Sequence, residues 1–271
     1  MTWLKIGKKL PQNPALWAVI TSLICASCAT LKSNHQPIDL THSFDDKTIY
    51  WPTEDGFVHE KEIYGPTKKG YFYASYRFRG AEHGGTHLDA PIHFNEQGET
   101  LDQIPLSRLV GSGVVIDVTH QCTKNPDYLI TIDDFLVFEK NHNLRLDDTI
   151  VLLKTGFGRR WPDRLQYLGT DKKGPDAVLQ LHFPGLDPQA ATWLATERHI
   201  KAVGIDTASI DFGQSTLFES HRNLFKHNIP ALENVANLDL LPPHGFLIVA
   251  LPMKIKDGSG GPLRIIAMNH D

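Results

Sequence analysis

The chain has 271 residues, of which 41% are hydrophobic, 21% charged and 9% aromatic, so it carries ample apolar material for a packed core. Its 27 Lys and Arg face 31 Asp and Glu, giving a net charge of -4 with no basic stripe, which argues against a nucleic-acid partner. No internal repeat or low-complexity block interrupts it, so one α/β domain is expected rather than an array.

The first residues read differently from the rest. Lys5, Lys8 and Lys9 make a positive start, and Ala15 to Ala26 is an uncharged run shorter than the roughly 20 residues a spanning helix needs. It ends in LICASCATL, where Ala26 and Ser27 precede Cys28 as in a bacterial lipobox, with Cys25 at the position usually held by an aliphatic residue. Residues 1–28 are therefore expected to be a signal and lipoprotein leader, cleaved before Cys28, whose thiol is lipidated. Plain secretion to the periplasm and an uncleaved anchor are the alternatives. Ala29 gives no inner-membrane retention signal, so an outer-membrane lipoprotein is expected, touching the membrane through its lipid only. Residues 29–37 read as a polar tether and 38–271 as the domain. Once Cys25 is removed and Cys28 lipidated, only Cys122 is left, so no internal disulfide can form.

Beyond Ile38, runs of β-branched and aromatic residues bounded by Gly, Pro or Asp predict the sheet. They lie at 70–78, 113–118, 149–155, 200–206 and 245–253. Residues 131–141 and 187–198 have helical spacing behind Thr131 and Asp187 caps, and a shorter helix is expected to start at Ser220.

Between the first two predicted strands lies EHGGTHLDAPIHF, Glu82 to Phe94, with three histidines and an aspartate close together. The Gly84-Gly85 pair disfavours a long helix, and HLDAP alternates like a strand, so His87 and Asp89 should share a face. A glycine bend then returns His83 to the same point. Two imidazoles and a carboxylate make a donor set for zinc or manganese. Any one of these histidines alone would more often be an ordinary core or surface group, but the clustering has no evident packing purpose.

HGGTHLDAPIHF resembles the H-x-G-T-H-x-D-x-P-x-H signature of the metal-dependent cyclase-like hydrolases, which include bacterial kynurenine formamidase and isatin hydrolase. IDLTHSF, VLLKTGF, FPGLDPQAATWL, VGIDTASID and ESHRNLFKHNIPALENVANL extend the resemblance over most of the chain. It implies a compact swivelling-type β/β/α fold with a mixed sheet, usually as a homodimer. By the same resemblance His83, His87 and Asp89 hold one metal, His221 and Glu233 complete a second with Asp89 shared, and His93 is the proton donor and acceptor. Trp51 is implied to line the substrate pocket.

Five ligands exceed the three of a catalytic zinc, which leaves two zinc ions bridged by Asp89 and Glu233 or one ion of higher coordination. Two zinc ions are expected. A single manganese is the alternative, since some relatives carry an amide at the Glu233 position. The activity implied is hydrolysis of an aryl amide such as N-formylkynurenine by metal-activated water. A cyclic amide or lactone is the alternative substrate, and a non-catalytic, metal-binding lipoprotein is the alternative outside enzymes. That last reading would not need His93. Asp206, Thr207, Ser209 and Asp211 are explained nearly as well by capping as by orienting ligands, Asp257 to Pro262 reads as a flexible turn bordering the pocket, and His182, His199, His227 and His244 fit unremarkable positions.

Overall fold

The computed structural model describes residues Gln36–Asn269; the expected signal segment, Cys25, Cys28 and all but the end of the tether lie outside the described residues. Twelve strands follow one another among the described residues: β1 (Ile38–Asp39), β2 (Val58–Pro66), β3 (Phe72–Arg79), β4 (His87–Asp89), β5 (Val110–Asp117), β6 (Leu129–Ile130), β7 (Ile150–Lys154), β8 (Gly185–Leu186), β9 (Ala202–Ile205), β10 (Ala231–Glu233), β11 (His244–Pro252) and β12 (Gly260–Asn269). Eight of them form one mixed sheet in the order β1-β12-β11-β5-β7-β9-β10-β4. Because β4 pairs with both β10 and β12, the sheet closes into a barrel-like ring.

The parallel part of the ring, β5-β7-β9-β10, is built through helical crossovers, as parallel neighbours require. Helix α1 (Ile132–His142) joins β5 to β7, α2 (Pro188–Glu197) joins β7 to β9, and α3 (Glu219–Phe225) joins β9 to β10. The Thr131 N–H donates to the Asp134 carboxylate at 2.8 Å, and the Asp187 carboxylate accepts from the Gln189 and Ala190 N–H groups, so both expected caps satisfy free helix ends. The third helix begins a residue earlier than predicted. Ser220 lies inside it, fully buried, and its hydroxyl donates to the Leu186 carbonyl at 2.6 Å instead of capping.

β7 reads IVLLK without alternation because both its faces are covered. Val151 and Leu153 join the apolar layer between sheet and helices, with Phe135, Leu194 and Phe225, while Ile150 and Leu152 turn into the space enclosed by the strands, with Leu88, Leu232 and Ile248. Each such side chain taken out of water contributes roughly 1.5–3 kcal/mol before conformational entropy is set against it. Of the five predicted strands, four lie in the ring. The run at 70–78 is a strand, β3, but it pairs only with β2 and leaves the ring as a two-stranded arm. Tyr64, Phe72 and Phe78 on that arm are more than half exposed.

Candidate active site

Two glycines start the site. Gly85 has φ +57°, and a Cβ on Gly84 would lie 2.2 Å from the Tyr50 ring, so only glycine permits both the turn and the close approach. The bend folds His83 back until its Nδ1 is 2.7 Å from Asp89 Oδ1. On β4, His87 and Asp89 share a face two residues apart, as expected. Antiparallel register sets Glu233 of β10 opposite His87. From the first turn of α3, His221 reaches in to place Nε2 3.1 Å from Asp89 Oδ2 and 3.0 Å from Glu233 Oε1. His83, His87 and Asp89 thus form one group able to hold a metal ion, and Asp89, His221 and Glu233 another, with Asp89 common to both.

The chemistry of this donor set fits a cation. Asp89 and Glu233 are buried together; burial and the Asp89 charge push Glu233 up, whereas on Asp89 burial is outweighed by the His87 and His83 charges, which hold it well below the usual range. His87 rises to about 9 and His221 well above its ordinary value, each against the opposing effect of burial, through the carboxylates around them. Two buried carboxylates therefore demand positive charge between them, which imidazole protons or a divalent cation can provide. His87 Nε2 is the sharper indicator. It is buried between Asp89 Oδ1 at 3.0 Å and Glu233 Oε2 at 3.5 Å and yet makes no hydrogen bond of acceptable geometry, leaving a buried polar atom without a partner inside the cluster.

Each imidazole is fixed from behind. His87 Nδ1 meets the Gly85 carbonyl at 3.0 Å, and that carbonyl also accepts from Asn234 Nδ2, whose oxygen accepts from the buried Tyr167 hydroxyl. His221 Nδ1 meets Asp211 Oδ2 at 2.6 Å. His83 Nε2 meets Ser259 Oγ at 2.9 Å, and the Ser259 hydroxyl donates to Glu82 at 2.6 Å. Such outer partners set tautomer and ring direction, which is what a metal-binding imidazole needs.

Sequence reasoning left Asp211 undecided and missed Ser259 and Glu82. Of the four polar residues near the end of β9, Asp211 holds His221, whereas Asp206 accepts from Thr155 and Gly156 and ties strand ends together. The expected flexible turn after Asp257 is a turn only at its start: Gly260 already belongs to β12, opposite Asp89, and a Cβ there would lie 2.6 Å from the His83 ring. A carboxylate ten residues before His221, in a run that ends a strand, was the available signal for Asp211; nothing local marked Ser259.

The cluster forms the floor of a cavity of about 360 Å³, a size suited to a small organic molecule. His93 lies on its wall at the end of a 3-10 turn, Pro91–His93, outside both ligand groups and stacked on His83 with ring centres 3.8 Å apart. Burial lowers His93 to about 4, against the opposing charge of Asp89, so the ring is neutral near pH 7. Trp51 also lines the cavity, half-buried, edge-on to Phe183 and 6.3 Å from Phe218. The aromatic wall continues through Phe218 and Phe94. Among the remaining histidines His182 pairs with Asp127 at the surface, an unremarkable role as expected.

The Cyclase family model matches residues 38–212. Isatin hydrolase of Roseibium aggregatum is 32% identical over 196 residues, covering 69% of this chain and 72% of the relative. Kynurenine formamidase of Bacillus cereus is 28% identical over 229 residues, covering 84% and 95%. The solved structure of isatin hydrolase A from Labrenzia aggregata, bound to benzyl benzoate, superposes with a TM-score of 0.77 at 30% identity, covering 95% of this chain and all of that one. With its signature segment folded around a shared His, Asp and Glu cluster, the chain belongs to the cyclase family of metal-dependent hydrolases.

Proposed function

We propose that the protein hydrolyses an aryl amide, with N-formylkynurenine going to kynurenine and formate as the type reaction. One observation carries this reading: a single cavity has the His and carboxylate cluster on its floor and Trp51, Phe94 and Phe218 on its wall. A molecule with its carbonyl at the cluster and its aryl group on the rings satisfies both surfaces. The resemblance to kynurenine formamidases supports the choice of reaction.

His83, His87 and Asp89 would hold one zinc ion, with His221 and Glu233 completing a second and Asp89 and Glu233 bridging; a single manganese ion is the alternative. When bound, the metal supplies Lewis acidity toward a carbonyl and an acidified water. The protein's own groups do the rest. Neutral His93 takes a proton from the attacking water as the C–O bond forms, then returns it to the departing nitrogen as the C–N bond breaks, so the amine leaves uncharged. Trp51 orients the aryl group by stacking. Asp211, Ser259 and the Gly85 carbonyl keep the three imidazoles aimed.

A second reading is ring-opening hydrolysis of a cyclic aryl amide or lactone, which breaks the acyl bond in the same way. The 32% identity to an isatin hydrolase and the superposition on a solved isatin hydrolase structure favour it. Turnover of N-formyl anilides, cyclic aryl amides and lactones by zinc- or manganese-loaded protein, beside a chelator-stripped control, separates the two. Cleavage of the cyclic compounds alone would install the second reading, and no turnover across the panel would reject both.

We also infer a homodimer of swivelling-type subunits, exported and tethered through lipid on Cys28. The exposed aromatic arm of β2 and β3 supports the dimer, because apolar area of this kind is commonly covered by a partner. The lipobox-like run before Cys28 supports the tether. Cys28→Ser should move the protein from the membrane to the soluble fraction with the folded domain's activity intact; unchanged fractionation would remove the tether from this account.

A further inference from the structure

Eight residues other than glycine have positive φ among the described residues, and seven of them are Asn, Asp or His, whose short polar side chains tolerate the left-handed region. The eighth is Phe218, at φ 48° and ψ 45°. It occupies the N-cap position of α3, where Ser, Thr, Asp, Asn or Gly would serve the helix, and its side chain caps nothing. A bulky aromatic residue in this conformation is a backbone outlier, and such outliers persist where the surroundings over-determine them. The surroundings here are specific. The Phe218 N–H donates to Ser215 Oγ at 3.2 Å, and that hydroxyl donates to Asp211 Oδ1, the other oxygen of the carboxylate that holds His221.

The ring so placed is half-buried and faces the cavity. It stacks on Phe94 at 5.0 Å, and its centre lies 6.3 Å from both the Trp51 and His221 ring centres. Phe218 therefore bridges the tryptophan expected to bind substrate and the imidazole expected to bind metal, making one continuous aromatic surface that ends at the cluster. We propose that Phe218 is a specificity-determining residue, held in a strained backbone so that its ring selects substrates whose amide nitrogen carries a flat aryl group over those carrying an alkyl chain. This rests on the hydrolase reading above.

The test compares metal-loaded wild type with Phe218→Ala, Phe218→Gly and Phe218→Tyr on an N-formyl anilide and an N-formyl alkylamine. In Phe218→Ala, kcat/KM for the anilide should fall by roughly 10–100-fold, mainly through KM, while the alkyl substrate changes by less than about 3-fold. Phe218→Tyr, which keeps the ring face, should restore the discrimination. Phe218→Gly should lose it equally, yet melt about 2–4 °C above Phe218→Ala because glycine relieves the left-handed strain. Equal losses on both substrates, or no loss on either, would overturn the proposal. Titration with 2-aminoacetophenone, an aryl amine that needs no turnover, reads the wall separately from the chemistry. If wild type hydrolyses neither substrate, the hydrolase reading fails. The aromatic wall still stands if Kd for this probe rises about 10-fold in Phe218→Ala, and falls if Kd is unchanged.

Discussion

Glu233 stands directly opposite His87 in the ladder between β10 and β4, with its Oε2 3.5 Å from His87 Nε2 and its Oε1 accepting from the Ile210 N–H at 2.7 Å. A carboxylate 146 residues from His87 thus joins the signature through one strand pairing. Its Oε1 is also 3.0 Å from His221, so Glu233 reaches imidazoles on both sides of Asp89.

Glu233→Gln should consequently retain the His83, His87 and Asp89 group but weaken the other, because a neutral amide bridges cations poorly. Elemental analysis under saturating zinc should show about two ions per wild-type chain and close to one in the variant. One ion per chain in wild type would reject the dinuclear arrangement and favour a single ion.

Asp211→Asn leaves the size of the side chain unchanged but removes the charge that fixes the Nδ1–H tautomer of His221. Loss of an outer-shell carboxylate of this kind typically costs 10–100-fold in metal affinity. Competition with a chelator should give a weaker zinc constant in that range, with the melting point of the metal-free protein changed much less. Asp211 also accepts from the Ser220 and His221 N–H groups at the start of α3, and an unaltered zinc constant would show that it serves only that capping role.

His93→Ala should keep its metal content and fold while turnover falls by roughly 10²–10⁴-fold, the usual contribution of a positioned acid or base. The fall should be smaller for substrates whose leaving group is a stable anion and needs no proton. Loss of metal in proportion to activity would instead make His93 a ligand.

His42 makes a separate, pH-dependent prediction. Burial lowers it from 6.5 to about 4, with Asp39 opposing, its Nε2 has no hydrogen-bond partner, and the ring stacks on Trp161 at 4.2 Å. Between pH 6.5 and 4 the unfolded chain takes up this proton and the folded chain does not, so stability falls with pH across that window. The loss attributable to His42 is at most about 3 kcal/mol at the acid end. In His42→Phe, which keeps a stacking ring and cannot charge, urea unfolding with chelator present should lose less stability between pH 7 and pH 4.5 than wild type. Parallel losses would mean that His42 does not contribute to acid sensitivity.

What the sequence by itself determined is local. The period-2 alternation of HLDAP put His87 and Asp89 on one face, the glycine pair announced the bend that returns His83, and apolar runs with their bounding residues marked four strands of the ring and all three crossover helices, the third displaced by one residue at its start. These follow from backbone sterics and neighbouring residues. The signature carried the family in the same way, since its pattern is contiguous. Tertiary structure decided everything that depends on which strand lies beside which. β4 pairs with both β10 and β12, and only that closure brings Glu233 opposite His87 and threads Gly260 past His83, linking segments more than 140 residues apart. It also detached β3 from the ring, which its apolar composition could not reveal because an exposed aromatic strand and a buried one have similar residues. Phe218 is the extreme case: its own sequence preference opposes the conformation it adopts, so contacts with Phe94 and with Ser215, itself bound to Asp211, and not local propensity, decide where its ring points.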